Sequence, residues 1–142
     1  MTTPGYVNAY AAGDTLLLVP MAGWGGAYKE QGDQEKVATD DPRLEAALVR
    51  MLDMSDLRPG GFDRDNVPYG KTGYARAAGM AKRKGATLRC FRLTRDEAGV
   101  LALQMLGPAP GERGLGPEGP EEHPHDLAAA VQCIRRRLAA GN

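Results

Sequence analysis

Polar and apolar residues alternate from the start of the chain. Tyr6-Val-Asn-Ala-Tyr10 sends successive side chains to opposite faces of an extended strand, Gly13-Asp14 supplies a turn, and Thr15-Leu-Leu-Leu-Val19 follows as an apolar run of strand length. Together these predict an N-terminal hairpin. Gly23-Trp24-Gly25-Gly26 then interrupts regular structure, and the polar stretch 27–39 offers at most a short edge strand. Asp41 before Pro42 reads as a helix start, because an aspartate accepts an orphan amide and proline in the first turn sacrifices no hydrogen bond. The apolar spacing then changes to helical: Leu44, Ala47, Leu48, Met51 and Leu52 share one face.

Pro59-Gly60-Gly61 and Val67-Pro68 disfavour continued helix and predict an irregular connection over 53–70. Thr72 caps a second helix with the stripe Tyr74, Ala77, Ala78 and Ala81, and Lys82-Arg83-Lys84-Gly85 suits its C-terminus electrostatically and sterically. Residues 86–94 and 99–106 are strand-like around the polar Arg95-Asp96-Glu97-Ala98, which predicts a second hairpin. With five glycines and five prolines, 107–124 should hold no regular element. A last helix follows Pro124, with Leu127, Val131, Ile134 and Leu138 on its buried side.

Both ends of the chain therefore follow one plan: hairpin, Gly/Pro-rich stretch, proline-started helix. Leu44, Ala47, Leu48 and Met51 match Leu127, Ala130, Val131 and Ile134 in spacing. The two stretches read as an internal repeat, or as two ordinary hairpin-helix stretches that coincide, since amphipathic helices share this spacing. Either way the fold class is α+β: two antiparallel hairpin-plus-helix units with a basic central helix, in one domain. The first ββα unit is 1–54, the connection and basic helix 55–85, and the second unit 86–142, with the Gly/Pro-rich loop at 107–124.

At 142 residues the chain is long enough for one domain that folds without disulfides or a structural metal. Its two cysteines, Cys90 and Cys133, impose no framework. No apolar run approaches the roughly 20 residues of a membrane span, and the N-terminus lacks a signal peptide's cationic start, so a cytoplasmic protein with no membrane partner is expected. Net charge is zero, but the charges are sorted. Residues 1–66 carry 11 acids and 6 bases, 67–95 carry 8 bases and no acid, 96–126 carry 7 acids and one base, and the tail adds three arginines. Such blocks steer a charged partner or neutralise one another in the fold.

Little here points to catalysis. His123 and His125 stand beside prolines, Cys90 and Cys133 read as small buried apolar residues, and no compact ligand set predicts a metal or other cofactor. Tyr69-Gly70-Lys71-Thr72 has the end of a phosphate-binding loop, but Asp65 occupies the first glycine's position. The expectation is a protein that is not an enzyme. The segment 67–95 could follow a phosphate backbone, with Tyr74 or Phe91 stacking on bases, which gives the alternative of a nucleic-acid-binding adaptor. Net neutrality ranks that behind a solvated or internally paired face. Trp24, with Tyr28 close behind and Glu30, Asp33 and Glu35 next, reads either as an aromatic anchor in a negative surround or as a side chain closing the core.

The order of features resembles the immunity proteins of bacterial contact-dependent growth inhibition systems. The resemblance runs from the hairpin at 7–21 through Asp40-Asp41-Pro42, Leu44-Glu-Ala-Ala-Leu-Val-Arg-Met-Leu52 and Asp53-Met54-Ser55. It continues in Tyr69-Gly-Lys-Thr-Gly-Tyr-Ala-Arg-Ala-Ala78, the hairpin at 86–106, Gly114-Leu-Gly-Pro-Glu118 and Asp126-Leu-Ala-Ala-Ala-Val131. It implies a cytosolic antidote that binds one cognate toxin domain, the C-terminal region of a large secreted adhesin, in a 1:1 complex. Such a toxin is commonly a nuclease, whose active site the antidote blocks. A nuclease's cationic groove would suit an acidic epitope, for which the candidates lie in 30–41 and 112–126. The toxin-binding residues so implied are Trp24, Tyr28, Glu30, Asp33, Glu35, Asp40, Asp41, Glu118, Glu121 and Glu122.

Overall fold

Seven antiparallel strands and three helices are formed by the described residues. The computed structural model describes residues 3–67, 72–108 and 115–140. In chain order the elements are β1 (Gly5–Ala12), β2 (Thr15–Trp24), β3 (Ala27–Glu30), β4 (Glu35–Ala38), α1 (Leu44–Met54), α2 (Gly73–Lys84), β5 (Arg89–Arg95), β6 (Leu101–Pro108), β7 (Leu115–Pro117) and α3 (Leu127–Ala140). The strands form one sheet in the order β3-β2-β1-β5-β6-β7, and β4 joins the same edge of β2 as β3. The two expected hairpins are present and lie side by side, joined through β1 and β5.

Alternation along the strands sorts side chains between two layers of helix. Val7, Ala9, Leu16, Leu18, Phe91, Leu93, Leu103 and Met105 face α1 and α3, meeting Leu44, Leu48 and Leu52 of the one and Val131 and Ile134 of the other. Tyr10, Leu17, Val19, Met21 and Cys90 form a second cluster with Ala77 of α2, and Ala12 packs with Met80 and Ala81 beside it. With helices on both faces, the run Leu16-Leu17-Leu18-Val19 is buried throughout, which is why it shows no polar alternation. The apolar face expected for α1 is buried at all five positions. No helix among the described residues is long and apolar enough to cross a membrane.

Several local expectations are corrected. The polar stretch 27–39 holds two short strands, because backbone pairing with β2 needs no apolar side chains. Asp41 does not cap α1: its carboxylate accepts the Arg43 amide at 2.8 Å, an Asx turn that delays the helix to Leu44. In α2 the buried positions are Gly73, Ala77, Met80 and Ala81, so Met80 replaces Tyr74 and Ala78 in the stripe. Thr72 does cap α2, and Gly85, at φ 66°, closes it in the left-handed conformation that glycine adopts without strain. Part of the Gly/Pro-rich segment is regular: β7 pairs with β6, and Glu122 exchanges both backbone hydrogen bonds with Leu103. Prolines are tolerated there because an edge strand leaves alternate amides unpaired. The remainder of that loop, 109–114, lies outside the described residues, as does the Tyr69-Gly70-Lys71 motif.

Candidate functional site

Two helices cover one face of the sheet and only one covers the other. On that second face α2 packs over β1 and β2, and beyond it the strands present polar and aromatic side chains. Register places Thr94 opposite Tyr6 and Arg92 opposite Asn8, with Ala102 and Gln104 next along β6. Tyr28 joins them from β3, since it pairs with Gly23 on the same face. Tyr6 meets Tyr28 edge to face at 5.5 Å, and the Arg92 guanidinium stands 5.7 Å from the Tyr6 ring. Tyr10 meets Tyr74 at 6.2 Å in the same manner. Arg92 is exposed and has no carboxylate partner among the described residues.

Below this layer the polar groups are fixed. The Tyr10 hydroxyl donates to Glu30 Oε2 at 2.9 Å, and the Gly73 amide donates to Oε1 at 2.7 Å. Glu30 thereby clamps the N-terminus of α2 to β3 with charge of the favourable sign. Burial pushes the Tyr6 and Tyr10 phenols above their ordinary value, with Arg92 partly opposing it at Tyr6, so both remain neutral donors at physiological pH. Asn8 is buried beside them; its amide nitrogen faces Met21 Sδ and its carbonyl oxygen has no hydrogen-bond partner among the described residues.

Trp24 lies on the opposite side of the β2–β3 ribbon. It packs edge to face on Phe62 at 5.4 Å, with Lys29 Nζ 4.1 Å and the Arg64 guanidinium 5.0 Å from its ring. At 37% exposure it is neither core nor a projecting anchor, and its immediate neighbours are cations where the sequence led us to expect acids.

The other expected site residues are dispersed. Asp33 accepts from the Asn66 side chain, Glu35 pairs with Arg50 at 2.6 Å, and Asp41 pairs with Arg43, which holds its carboxyl below the usual range. Asp40 is exposed and has no ion-pair partner among the described residues. Glu118 follows β7 and Glu121 lies 3.6 Å from His123. Glu122 is held by Arg137 at 3.1 Å and by the Cys133 thiol at 2.5 Å, which together lower its pKa. The stretch 30–41 borders β2 and 118–122 borders β6 in the strand order, and α3 contacts both, Arg135 donating to the Thr39 and Asp41 carbonyls and Arg137 pairing with Glu122. Of the ten residues, Tyr28 and Glu30 share the aromatic face, and Trp24 backs the same ribbon.

Chemistry elsewhere is limited. Phe91 is 1% exposed, which removes it as a stacking platform. Burial pushes the Cys90 thiol up to about 12, and burial with the Glu122 carboxylate raises that of Cys133, so neither is an activated nucleophile. No three of His, Cys, Asp and Glu are grouped to hold a metal ion among the described residues. Arg76, Lys84, Arg89 and Arg95 of the basic segment are engaged by Gln34, Asp14, the Arg137 carbonyl and Asp53, respectively.

The sequence reading passed over Tyr6 and Arg92. The signal was present: Tyr6-Asn8-Tyr10 alternates with Val7-Ala9-Ala11, and Arg92-Thr94 with Phe91-Leu93, so each strand sets polar or aromatic residues on the face opposite its aliphatic ones.

No family model matches the chain, and no curated protein matches it. Among solved structures it is similar to NMB0488, a protein of unknown function from Neisseria meningitidis. The two share 11% identity at a TM-score of 0.56, over 98% of this chain and 96% of that one. That likeness shows the fold.

Proposed function

We propose that this chain is a non-catalytic immunity protein that binds a cognate secreted toxin domain in the cytosol, 1:1, and occludes its active site. The observation that carries the reading is the sheet face left uncovered beside α2, where Tyr6, Tyr28 and Arg92 stand together on a rigid backing. Tyr and Arg are the residues that concentrate binding energy at protein interfaces, and a face fixed by backbone pairing loses little freedom on binding. A standard interface takes about 800 Å² from each partner. That is near one tenth of the chain's 7926 Å² surface. The resemblance to growth-inhibition immunity proteins supplies the class of partner: the C-terminal domain of a large adhesin, with a nuclease as the expected activity. Occlusion by an aromatic face needs no phosphate mimicry, and of the candidate acids Asp41, Glu35 and Glu122 are held by arginines. The adaptor reading has less behind it, since Lys84 and Arg95 of the basic segment are already paired with carboxylates and Arg76 is held by Gln34.

The test is co-expression with the C-terminal domain of the adhesin encoded beside this chain's gene. Wild-type chain should restore growth and co-purify with that domain, and Tyr28→Ala with Arg92→Glu should abolish both while leaving the fold intact. Absence of binding by the wild type would reject the reading, and tight, salt-sensitive binding of single-stranded RNA in its place would favour the adaptor.

A further inference from the structure

Two arginines remote in sequence, Arg89 at the start of β5 and Arg135 in α3, meet at one end of the molecule. There the β1–β2 turn, the lead into α1, the α2–β5 connection and the last turn of α3 surround a half-open cleft of about 870 Å³. Gly13, Thr39, Thr87, Arg89, Arg135 and Leu138 are among its walls. Both guanidiniums are half-buried and neither lies within ion-pair distance of a carboxylate among the described residues. Their partners are neutral. Arg89 donates to the Arg137 carbonyl at 3.2 Å and approaches Met105 Sδ at 3.0 Å, while Arg135 donates to the carbonyls of Thr39 at 2.8 Å and Asp41 at 3.0 Å.

A guanidinium has five N–H donors, so each arginine keeps donors beyond these contacts; neither is in a direct ion pair, and the carboxylate that Arg135 feels, Asp41, is itself held by Arg43. Of the carboxylates lining it, Asp14 is taken by Lys84 at 2.9 Å, and Asp40 lies exposed at its rim. Lys82 and Arg83, in the last turn of α2 just before the lining residue Gly85, add to the positive potential. The carbonyl end of α3 opposes it, but Arg89 already answers that pole through Arg137. The volume falls in the range of small-molecule sites, where apolar walls are combined with a few polar groups.

We infer that this cleft binds a compact oxyanion, a phosphate or carboxylate group, held by Arg89 and Arg135 with hydroxyl contacts from Thr39 and Thr87. Arginine forks match such groups in bidentate fashion, and partial burial strengthens the pairing. The site is separate from the aromatic face and does not depend on the toxin-binding reading.

The test is NMR titration of the 15N-labelled full chain with inorganic phosphate, with succinate and with chloride at matched ionic strength. Phosphate or succinate should give saturable shifts at the amides of Gly13, Gly85 and Thr87 where chloride gives none, and the better of the two identifies the oxyanion. Thr87→Glu, an exposed substitution at the rim, should preserve the spectrum elsewhere and weaken binding by about ten-fold or more, the value of one charge-assisted hydrogen bond. Arg135→Gln should weaken it similarly, and if that variant fails to fold, Thr87→Glu decides alone. The inference is overturned if neither anion saturates beyond chloride, if the shifts map elsewhere, or if Thr87→Glu binds within about two-fold of wild type.

Discussion

Gly23→Ala should detach the loop that backs Trp24. A Cβ at this position would lie 2.0 Å from the Arg58 carbonyl oxygen, 2.7 Å from its carbon and 2.8 Å from the Leu57 oxygen. These are all backbone atoms, so no rotamer change relieves the contact and the 56–62 segment must move off β2. The move breaks the hydrogen bonds from Gly23 N to Asp56 O at 2.7 Å and from Phe62 N to Gly23 O at 3.0 Å, and separates Trp24 from Phe62. Two backbone hydrogen bonds are worth about 1 kcal/mol each and an edge-to-face pair about 0.5–1.5, so the loss should be about 2–4 kcal/mol. Trp24 is the sole tryptophan, so its fluorescence reports this site directly. The variant should show red-shifted emission before any denaturant is added and a lower urea midpoint. Gly26→Ala is the control, because a Cβ there meets nothing within 4 Å, and it should stay within about 0.5 kcal/mol of wild type. Unchanged emission and midpoint for Gly23→Ala, or equal damage from Gly26→Ala, would refute the steric reasoning.

Other consequences are open to measurement. Leu48→Ala empties a fully buried site between α1 and the sheet and should cost about 2–5 kcal/mol, read as a lower urea midpoint at unchanged slope. Both thiols are raised, so iodoacetamide at pH 8 should leave Cys90 and Cys133 unmodified in the native protein and alkylate both in urea; rapid native labelling of Cys90 would contradict its burial. Glu122 titrates below its ordinary 4.5 when folded, so its stabilising effect is complete above that value and is lost as pH falls through the lower folded one. Wild type should therefore exceed Glu122→Gln in stability at neutral pH, and the gap should close on acidification; a gap that stays constant down to pH 3 would remove Glu122 as its source.

The helices were legible because each carries an unambiguous stripe. In α1 the five spaced residues are the buried ones, and in α3 Val131 and Ile134 lie in the core with Leu127 and Leu138 at its margin. Thr72 and Gly85 marked the ends of α2 because caps are local chemistry. β3, β4 and β7 were harder to read: each is only three or four residues long, and an edge strand with polar side chains has no hydrophobic signature, so even the tight Gly25-Gly26 turn between β2 and β3 did not stand out as a hairpin. The candidate site was half legible for a related reason. Tyr28 and Glu30 could be singled out as a local cluster, whereas Tyr6 and Arg92 meet only through β1–β5 pairing across more than eighty residues.

Unequal coverage of the two faces follows from what α2 can bury. Its inward residues are Gly73, Ala77, Met80 and Ala81, a narrow stripe that packs over β1 and β2; Cys90 and Leu106, a facing pair of β5 and β6, join the same cluster, and Arg92, Thr94, Ala102 and Gln104 lie beyond it. Were the uncovered strip merely a poorly packed part of the core, it should carry aliphatic residues like those of the opposite face. Instead, where Phe91 and Leu93 face α1 and α3, their neighbours Arg92 and Thr94 face outward, and the strip is bordered by tyrosines rather than by leucines. The alternation in β5 therefore leaves Arg92 and Thr94 outside the chain's own helices, beside aromatic bodies that tolerate water and gain from its removal. That composition, opposite a face packed by α1 and α3, is the ground on which the proposal above places a partner there.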